Sequence, residues 1–223
     1  MAFGKTAGCI ILASAAMASA AQFPVRHEHW QDHCNGVLTV DEKGVSFAGP
    51  KKHSWNWQYN DIEQLTVSPE RITVITYREN KLGGDRVYRF TGKVPAPELF
   101  ALLKDRLDQR FVAAIGTEAA VPAWRFPVKH LGRIGASEGV LTFGADAVVY
   151  ATGAKGESRT WRYSDIDNVS NSGPFELTVV TFERGKFTFG DRKGFEFELK
   201  ERLPEATYNE IWMQIQKKNA MIQ

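Results

Sequence analysis

One set of sequence blocks occurs twice in this chain, and that repeat constrains the fold more than any other feature. Residues 23–27 (FPVRH) return as residues 126–130 (FPVKH), displaced by 103 positions. Four further blocks follow in the same order: 36–40 and 139–143, 57–62 and 161–166, 72–77 and 177–182, 84–86 and 190–192. Because the offset changes only between blocks, where turns tolerate insertion, the repeat predicts two copies of one domain.

Within each copy, short segments of alternating hydrophobicity precede one helical segment. In the first copy the predicted strands are 23–27, 37–40, 45–47, 54–59, 62–67, 71–77 and 86–90. The helix after Pro97 has the spacing Leu99, Leu102, Leu103 and Leu107, and the helix after Pro204 has Tyr208, Ile211, Trp212 and Ile215. We therefore expect a mainly β fold of two small barrels, each with about seven antiparallel strands closed by one C-terminal helix.

The same pattern sets the expected domain boundaries. The first domain spans residues 22–111, an alanine-rich linker spans 112–123, and the second domain spans 124–223. Each domain has its own complete set of strands and its own helix, so each is expected to bury its own core.

Two motifs give the copies a resemblance to a known family. A Gly-x-Leu pair occurs in the second strand of each copy, at 36–38 and 139–141, and an aromatic-x-Tyr-x-Asp-Ile signature occurs at 57–62 and 161–166. With the order of strands and the terminal helix, these features resemble bacterial pleckstrin-homology or GRAM-like domains. The resemblance implies a binding platform for lipids, peptides or neighbouring domains. The first hairpin loops, 30–35 and 133–138, lack the Lys/Arg cluster of phosphoinositide-binding members, so that ligand is not implied.

The aromatic-x-Tyr-x-Asp-Ile signature also has a structural interpretation. Its aromatic residues are expected in the core, and each aspartate is expected to cap a turn through its side-chain oxygen. A single carboxylate per copy has no partner in the sequence for acid–base chemistry. The residues assigned this structural role are Trp57, Tyr59, Asp61, Trp161, Tyr163 and Asp165.

The first 21 residues have the order of a secretory signal peptide. Lys5 precedes an apolar stretch from residue 7 to 18, and small residues follow to residue 21. The stretch is too short to span a bilayer, so we expect an exported protein, periplasmic or secreted. Without Lys5 the formal net charge falls from +2 to +1. That charge argues against a nucleic-acid partner and supports membrane contact only weakly.

One group of residues invites a metal-site hypothesis. Imidazoles and a thiolate are zinc ligands, and alternation along a strand places His27 and His29 on one face. The hypothetical ligands are His27, His29, His33 and Cys34, with His53 from a nearby strand. The structural interpretation is favoured and no metal is expected, because His27 recurs as His130, which has none of the other ligands beside it.

The sequence favours an unreactive, structural role for Cys34. Cys34 is the single cysteine after residue 21, so no intramolecular disulfide can form. His33 and Cys34 are neighbours on a strand and point to opposite faces, which argues against a thiolate pair. No catalytic motif is found and no cofactor is expected. A zinc or thiol enzyme built on these residues is kept as an alternative.

A ligand site is predicted where the two copies differ, because core positions must match while a specialised surface need not. Arg133 and Arg159 stand in the places of Trp30 and Trp55, and basic residues lie near Trp55. The candidate ligand-binding residues are Trp30, Trp55, Lys51, Lys52 and His53. Indole rings supply much of the binding energy at many interfaces. The alternative is that both tryptophans pack against the second copy or the linker.

These observations predict a non-enzymatic tandem binding or scaffolding protein. Its partner, a protein, peptide or glycan, is not identified by the sequence. A peripheral membrane-surface binder is the remaining alternative.

Overall fold

A computed structural model gives the fold of the chain. It describes residues 20–29, 32–50, 52–79, 84–107, 110–118, 121–132, 135–185 and 192–220. Trp30, Lys51 and Arg133 lie outside the described residues, as does the predicted signal peptide except its last two positions. Neither helix in the described part of the chain is long and apolar enough to cross a membrane.

The first copy contains seven strands and one helix within its described residues. They are β1 (Ala21–Glu28), β2 (His33–Val40), β3 (Gly44–Ala48), β4 (Ser54–Gln58), β5 (Ile62–Ser68), β6 (Arg71–Glu79), β7 (Asp85–Thr91) and α1 (Ala96–Leu103). A single 3₁₀ turn, Tyr59–Asp61, separates β4 from β5. The short strand β8 (Phe111–Ala113) follows the helix.

The second copy repeats this series. Its elements are β9 (Trp124–Leu131), β10 (Ala136–Phe143), β11 (Ala147–Thr152), β12 (Arg159–Arg162), β13 (Ile166–Ser170), β14 (Glu176–Thr181), β15 (Lys193–Leu199) and α2 (Glu205–Ala220). A 3₁₀ turn at Tyr163–Asp165 again separates the fourth strand from the fifth.

The strands confirm the mainly β prediction, but they do not form two separate barrels closed by helices. All fifteen described strands belong to one sheet, in the order β13-β14-β15-β9-β10-β11-β12-β8-β5-β6-β7-β1-β2-β3-β4. Each copy contributes seven strands in the same relative order. The sheet is continuous because β8, from the start of the predicted linker, pairs parallel with β5 and antiparallel with β12. Helix α1 packs on β5 and β8, and α2 packs on β13.

Each copy nevertheless has its own hydrophobic core. The first core extends from Phe23 to Ile115 and includes Phe111 and Ala113 of β8, so the first residues of the predicted linker belong to it. The second core extends from Phe126 to Ile215. Within α2, Ile211 and Ile215 are fully buried, as the helical spacing predicts. Trp212 was expected on the same face but is 42% exposed, because it is one position out of the buried stripe.

The glycine of each Gly-x-Leu pair is explained by an aromatic ring on the neighbouring strand. A Cβ atom on Gly36 would lie 2.4 Å from the carbonyl oxygen of Ala48 and 2.5 Å from the ring of Phe47. A Cβ on Gly139 would lie 2.3 Å from the carbonyl oxygen of Ala151 and 2.7 Å from the ring of Tyr150. Both positions therefore exclude any side chain.

The tyrosine and aspartate of the second motif hold the turns around β4 and β12. The Tyr59 hydroxyl donates to the carbonyl of Asp41 at 2.5 Å, and the Tyr163 hydroxyl donates to the carbonyl of Gly144 at 2.7 Å. Asp61 accepts from the amide of Gln58 at 3.1 Å, and Asp165 accepts from the amide of Arg162 at 2.9 Å. The two tryptophans of the motif, Trp57 and Trp161, are buried. These contacts are those of a structural motif.

We predict that Gly36→Ala lowers the free energy of unfolding by about 1 to 3 kcal/mol, because the methyl group must displace backbone or the Phe47 ring. Urea denaturation followed by tryptophan fluorescence measures the change. Gly153→Ala is the matched control, since a Cβ there meets nothing within 4 Å. We expect the control to change stability by less than about 0.5 kcal/mol. Equal stability of the Gly36→Ala variant and the natural chain would contradict the packing described here.

Candidate metal centre

The β1–β2 hairpin brings three potential metal ligands to one face of the sheet. His27 lies directly opposite Cys34 in the antiparallel register, so both side chains point to the same side. His29 is two residues beyond His27 and therefore shares that side. The backbone amide of His29 donates to the carbonyl of Asp32 at 2.8 Å, which closes the hairpin just beyond the three side chains.

The three donor atoms converge on one point. His27 Nδ1 lies 3.2 Å from His29 Nε2, and His29 Nε2 lies 3.4 Å from Cys34 Sγ. The third side of the triangle, from Cys34 Sγ to His27 Nδ1, is 3.9 Å. Among the described residues, this is the group of His, Cys, Asp and Glu side chains close enough to hold a metal ion.

Aromatic rings of the first core surround His27. The ring of His27 lies 4.9 Å from the indole of Trp55 and 5.1 Å from the ring of Phe90, measured between centroids. The rings of Phe47 and Tyr88 also pack against it. His27 and Cys34 are buried, whereas His29 is half-buried and faces two solvent-connected cavities of about 500 and 640 Å³. The cluster is therefore enclosed by aromatic rings on one side and open to solvent on the other.

Burial determines the protonation of two of these groups. Burial, together with the neighbouring rings of His29 and His53, lowers the pKa of His27 to about 4, so its imidazole is neutral at pH 7. A neutral imidazole is the form that binds metal. Burial also raises the pKa of the Cys34 thiol, and the nearby charge of Asp32 adds to that effect.

The other sequence candidates lie at different distances from this centre. His33 is exposed, borders the 640 Å³ cavity and lies beside Asp32, with its Nδ1 3.9 Å from the carboxylate, and it is not one of the three converging donors. The ring of His53 lies 4.7 Å from the ring of His29, between centroids. Lys52 is exposed and borders the 640 Å³ cavity with His53. Trp30 and Lys51 fall outside the described residues.

Trp55 is a partly buried residue of the first core. Its indole stacks on Phe47 at 5.7 Å and packs against Tyr88 at 5.2 Å. It forms the wall of the 500 Å³ cavity next to His27. The ring of His53 stacks on its outer side at 5.9 Å. The tryptophan that sequence comparison singled out thus lies beside the candidate metal centre.

The second copy has the same backbone without the ligands. His130 lies opposite Ser137 in the β9–β10 register, so Ser137 takes the place of Cys34. The Ser137 hydroxyl bonds the Tyr150 hydroxyl at 2.8 Å, which satisfies both groups internally. Gly132 stands where His29 does, and Glu157, 3.7 Å from His130, stands where His53 does. The metal-ligand set therefore belongs to the first copy alone among the described residues.

Sequence reasoning missed the arginines of β7. Arg86 and Arg89 border the 500 Å³ cavity with His27 and His29. Nothing in the local sequence marks them, because isolated charged residues on a strand are usually solvated. The sequence alignment of 84–86 with 190–192 also differs by one residue from the alignment given by the strand registers. Strand registers place Arg86 opposite Thr76 and Lys193 opposite Thr181, so Arg86 corresponds to Lys193.

Comparisons with known proteins return matches to solved structures only. No protein-family model matches the chain, and no curated protein matches it. A solved structure of the Spt16D Pob3N heterodimer is similar with a TM-score of 0.32 and 13% sequence identity, over 83% of this chain and 99% of that one. A TM-score this low supports no conclusion about a shared fold or function.

We predict that the Cys34 thiol reacts slowly with a soluble disulfide reagent at neutral pH, because it is 9% exposed and its raised pKa lowers the thiolate fraction. In a chain of residues 22–223 this is the single cysteine. We expect the folded chain to react at least about tenfold more slowly than the same chain in denaturant. Absorbance of the released chromophore measures both rates. Equal rates, or a disulfide-linked dimer on a non-reducing gel, would contradict the burial described here.

Proposed function

We propose that this chain is a binding module whose first copy binds a transition-metal ion through His27, His29 and Cys34. The observation that carries the proposal is the convergence of their three donor atoms. A tetrahedral zinc ion with bonds of about 2.0 Å to nitrogen and about 2.3 Å to sulfur needs donors about 3.3 to 3.6 Å apart. The observed separations of 3.2, 3.4 and 3.9 Å lie close to these values.

The donor types favour one class of ion. Thiolate and imidazole ligands select zinc and copper, whereas magnesium and calcium prefer oxygen. Zn²⁺ fits best because it takes mixed nitrogen and sulfur ligands in a tetrahedral arrangement. Three protein ligands leave its fourth coordination position open. Such a position is also what a catalytic zinc needs, so the enzyme alternative stays a prediction to which we assign no reaction.

The proposed setting is that of an exported tandem protein with pleckstrin-homology-like or GRAM-like copies. The identical strand order and the helix after the seventh strand in each copy support the family resemblance. The sequence of residues 1–21 supports export. In this proposal the second copy is a scaffold, since Ser137 and Tyr150 close off the place that the ligands occupy in the first.

Metal binding is measured on residues 22–223 under reducing conditions, by competition with a chromophoric chelator for Zn²⁺ and, separately, for Cu⁺. We expect one Zn²⁺ ion per chain. His29→Gln and Cys34→Ser each remove one ligand and are expected to weaken Zn²⁺ binding by more than about 100-fold. His33→Gln is the matched control, because it removes an exposed histidine of the same hairpin that is not one of the three converging donors.

Two outcomes would contradict this proposal. One is a natural chain that binds Zn²⁺ and Cu⁺ no more tightly than its His29→Gln variant. The other is an effect of His33→Gln as large as that of His29→Gln, which would mean adventitious binding by surface histidines. His53→Gln tests the open position: we expect a smaller loss than for His29→Gln, because the His53 side chain lies outside the three converging donors.

A further inference from the structure

The outer edge of β4 has no strand partner among the described residues. Strand β4 is the last in the order of the sheet and pairs with β3 on one side. Its counterpart in the second copy, β12, pairs with β11 on one side and with β8 on the other. The same edge of the repeated unit is therefore occupied in the second copy and open in the first.

The chain itself shows how this edge is occupied in the second copy. Thr160 of β12 pairs with Ala113 of β8, and its hydroxyl donates to the carbonyl of Ile115 at 2.8 Å. The amide of Thr117 donates to the Thr160 hydroxyl at 3.3 Å. The edge thus holds residues 113–117 through one strand pair and one side-chain hydroxyl.

The occupying segment approaches the sheet closely because it consists largely of small residues. Its sequence is Ala-Ala-Ile-Gly-Thr. A Cβ on Gly116 would lie 3.2 Å from the Cα and Cβ of Ala151 and 3.4 Å from the Cβ of Ser158. These distances are shorter than ordinary van der Waals contacts, so a side chain at this position would be crowded. The edge therefore selects a small residue at the position of Gly116.

The first copy keeps the residues that receive this segment. According to the strand registers, the counterparts of Ala151, Ser158 and Thr160 are Ala48, Ser54 and Asn56. Alanine and serine are thus unchanged, and a polar side chain remains at the third position. Thr160 is buried, whereas Asn56 is exposed together with Ala48 and Ser54. We call the surface formed by Ala48, Ser54 and Asn56 the β4 edge.

The two ends of the sheet are not equally open. At the far end α2 packs on β13, and the Tyr208 hydroxyl donates to the carbonyl of Val169 at 3.3 Å. Strand β4, with the sequence Ser-Trp-Asn-Trp-Gln, has neither the proline nor the charged side chain by which many edge strands avoid pairing. The β4 edge is accordingly the end of the sheet that is suited to accept another strand.

We propose that the β4 edge binds an extended segment of a partner protein, one of small apolar residues with a glycine, as β12 binds residues 113–117. In strand addition of this kind, main-chain hydrogen bonds give affinity and side-chain contacts give specificity. Here the specificity comes from Ala48 and Ser54, which admit a glycine at close range. The inference goes beyond the proposed function, because this binding needs no metal ion.

The test measures fluorescence anisotropy of a labelled peptide of residues 111–117, titrated with residues 22–223 in the presence of a chelator. We expect a saturable increase in anisotropy with the natural chain. Ala48→Val should weaken binding by about tenfold or more, because the added methyl groups occupy the place of the peptide glycine. Asn56→Thr should strengthen it by about threefold, because it supplies the hydroxyl that Thr160 supplies in the second copy.

Ala123→Val is the matched control, since Ala123 is an exposed alanine outside the β4 edge. A peptide carrying Gly116→Val should bind at least about tenfold more weakly than the natural peptide. Thermal melts check that all variants fold. Absence of saturable binding, or equal binding by the Ala48→Val variant, overturns this inference and leaves the metal proposal standing. Sedimentation velocity tests a second copy of this chain as the occupant: a dimer that Ala48→Val dissociates would overturn the assignment to a partner protein.

Discussion

The antiparallel pairing of His27 with Cys34 is the interaction on which the site depends. Directly opposite residues of a hairpin share a face at short range, so this register alone puts an imidazole beside a thiol. The turn after His29 then sets the distance of the second imidazole. A slip of one residue would turn Cys34 to the outer face and leave His33 in its place. Gly36 also restricts the register, because no side chain fits at its position beside the ring of Phe47 on β3.

The two copies surround the equivalent buried histidine with different polar groups on the same backbone. His130 is enclosed by Tyr150, Phe195 and Phe197, and the charges near it are balanced within the chain. His27 is enclosed by a comparable set of rings, but its polar neighbours are a thiol and two further imidazoles. A buried ion network such as that of Glu183 needs every member present to offset its desolvation. In the first copy Trp55, Arg86 and Arg78 stand in the places of Arg159, Lys193 and Glu183, so the carboxylate at the centre of that network has no counterpart at its position.

Much of the fold follows from the sequence, because the repeat, the alternation of apolar residues and the two motifs each have a local physical cause. The strands at 71–77 and 86–90 lie within β6 and β7 as observed. The single continuous sheet does not follow, since three residues of β8 carry no signal that distinguishes a strand from an apolar linker. Alternation predicts that His27 and His29 share a face. It does not predict the distance to Cys34, which depends on a turn at His29–Asp32 without the glycine that the second copy has at Gly135.

The continuous sheet also connects the two copies mechanically. Residues of β8 belong to the first core, and β8 pairs with one strand of each copy. A displacement of β5 would therefore be transmitted to β12. The Thr160 hydroxyl of β12 donates to the carbonyl of Ile115 at 2.8 Å, and Arg184 binds Glu63 at 2.9 Å. These contacts join the copies on the side of the sheet away from β1 and β2. In strand order the metal-ligand hairpin is near the free edge at β4, separated from β8 by β5, β6 and β7. The second copy therefore contacts the first at β5 and β8, whereas the cavity beside His27 lies between β1 and β7, in the middle of the first copy's strand order.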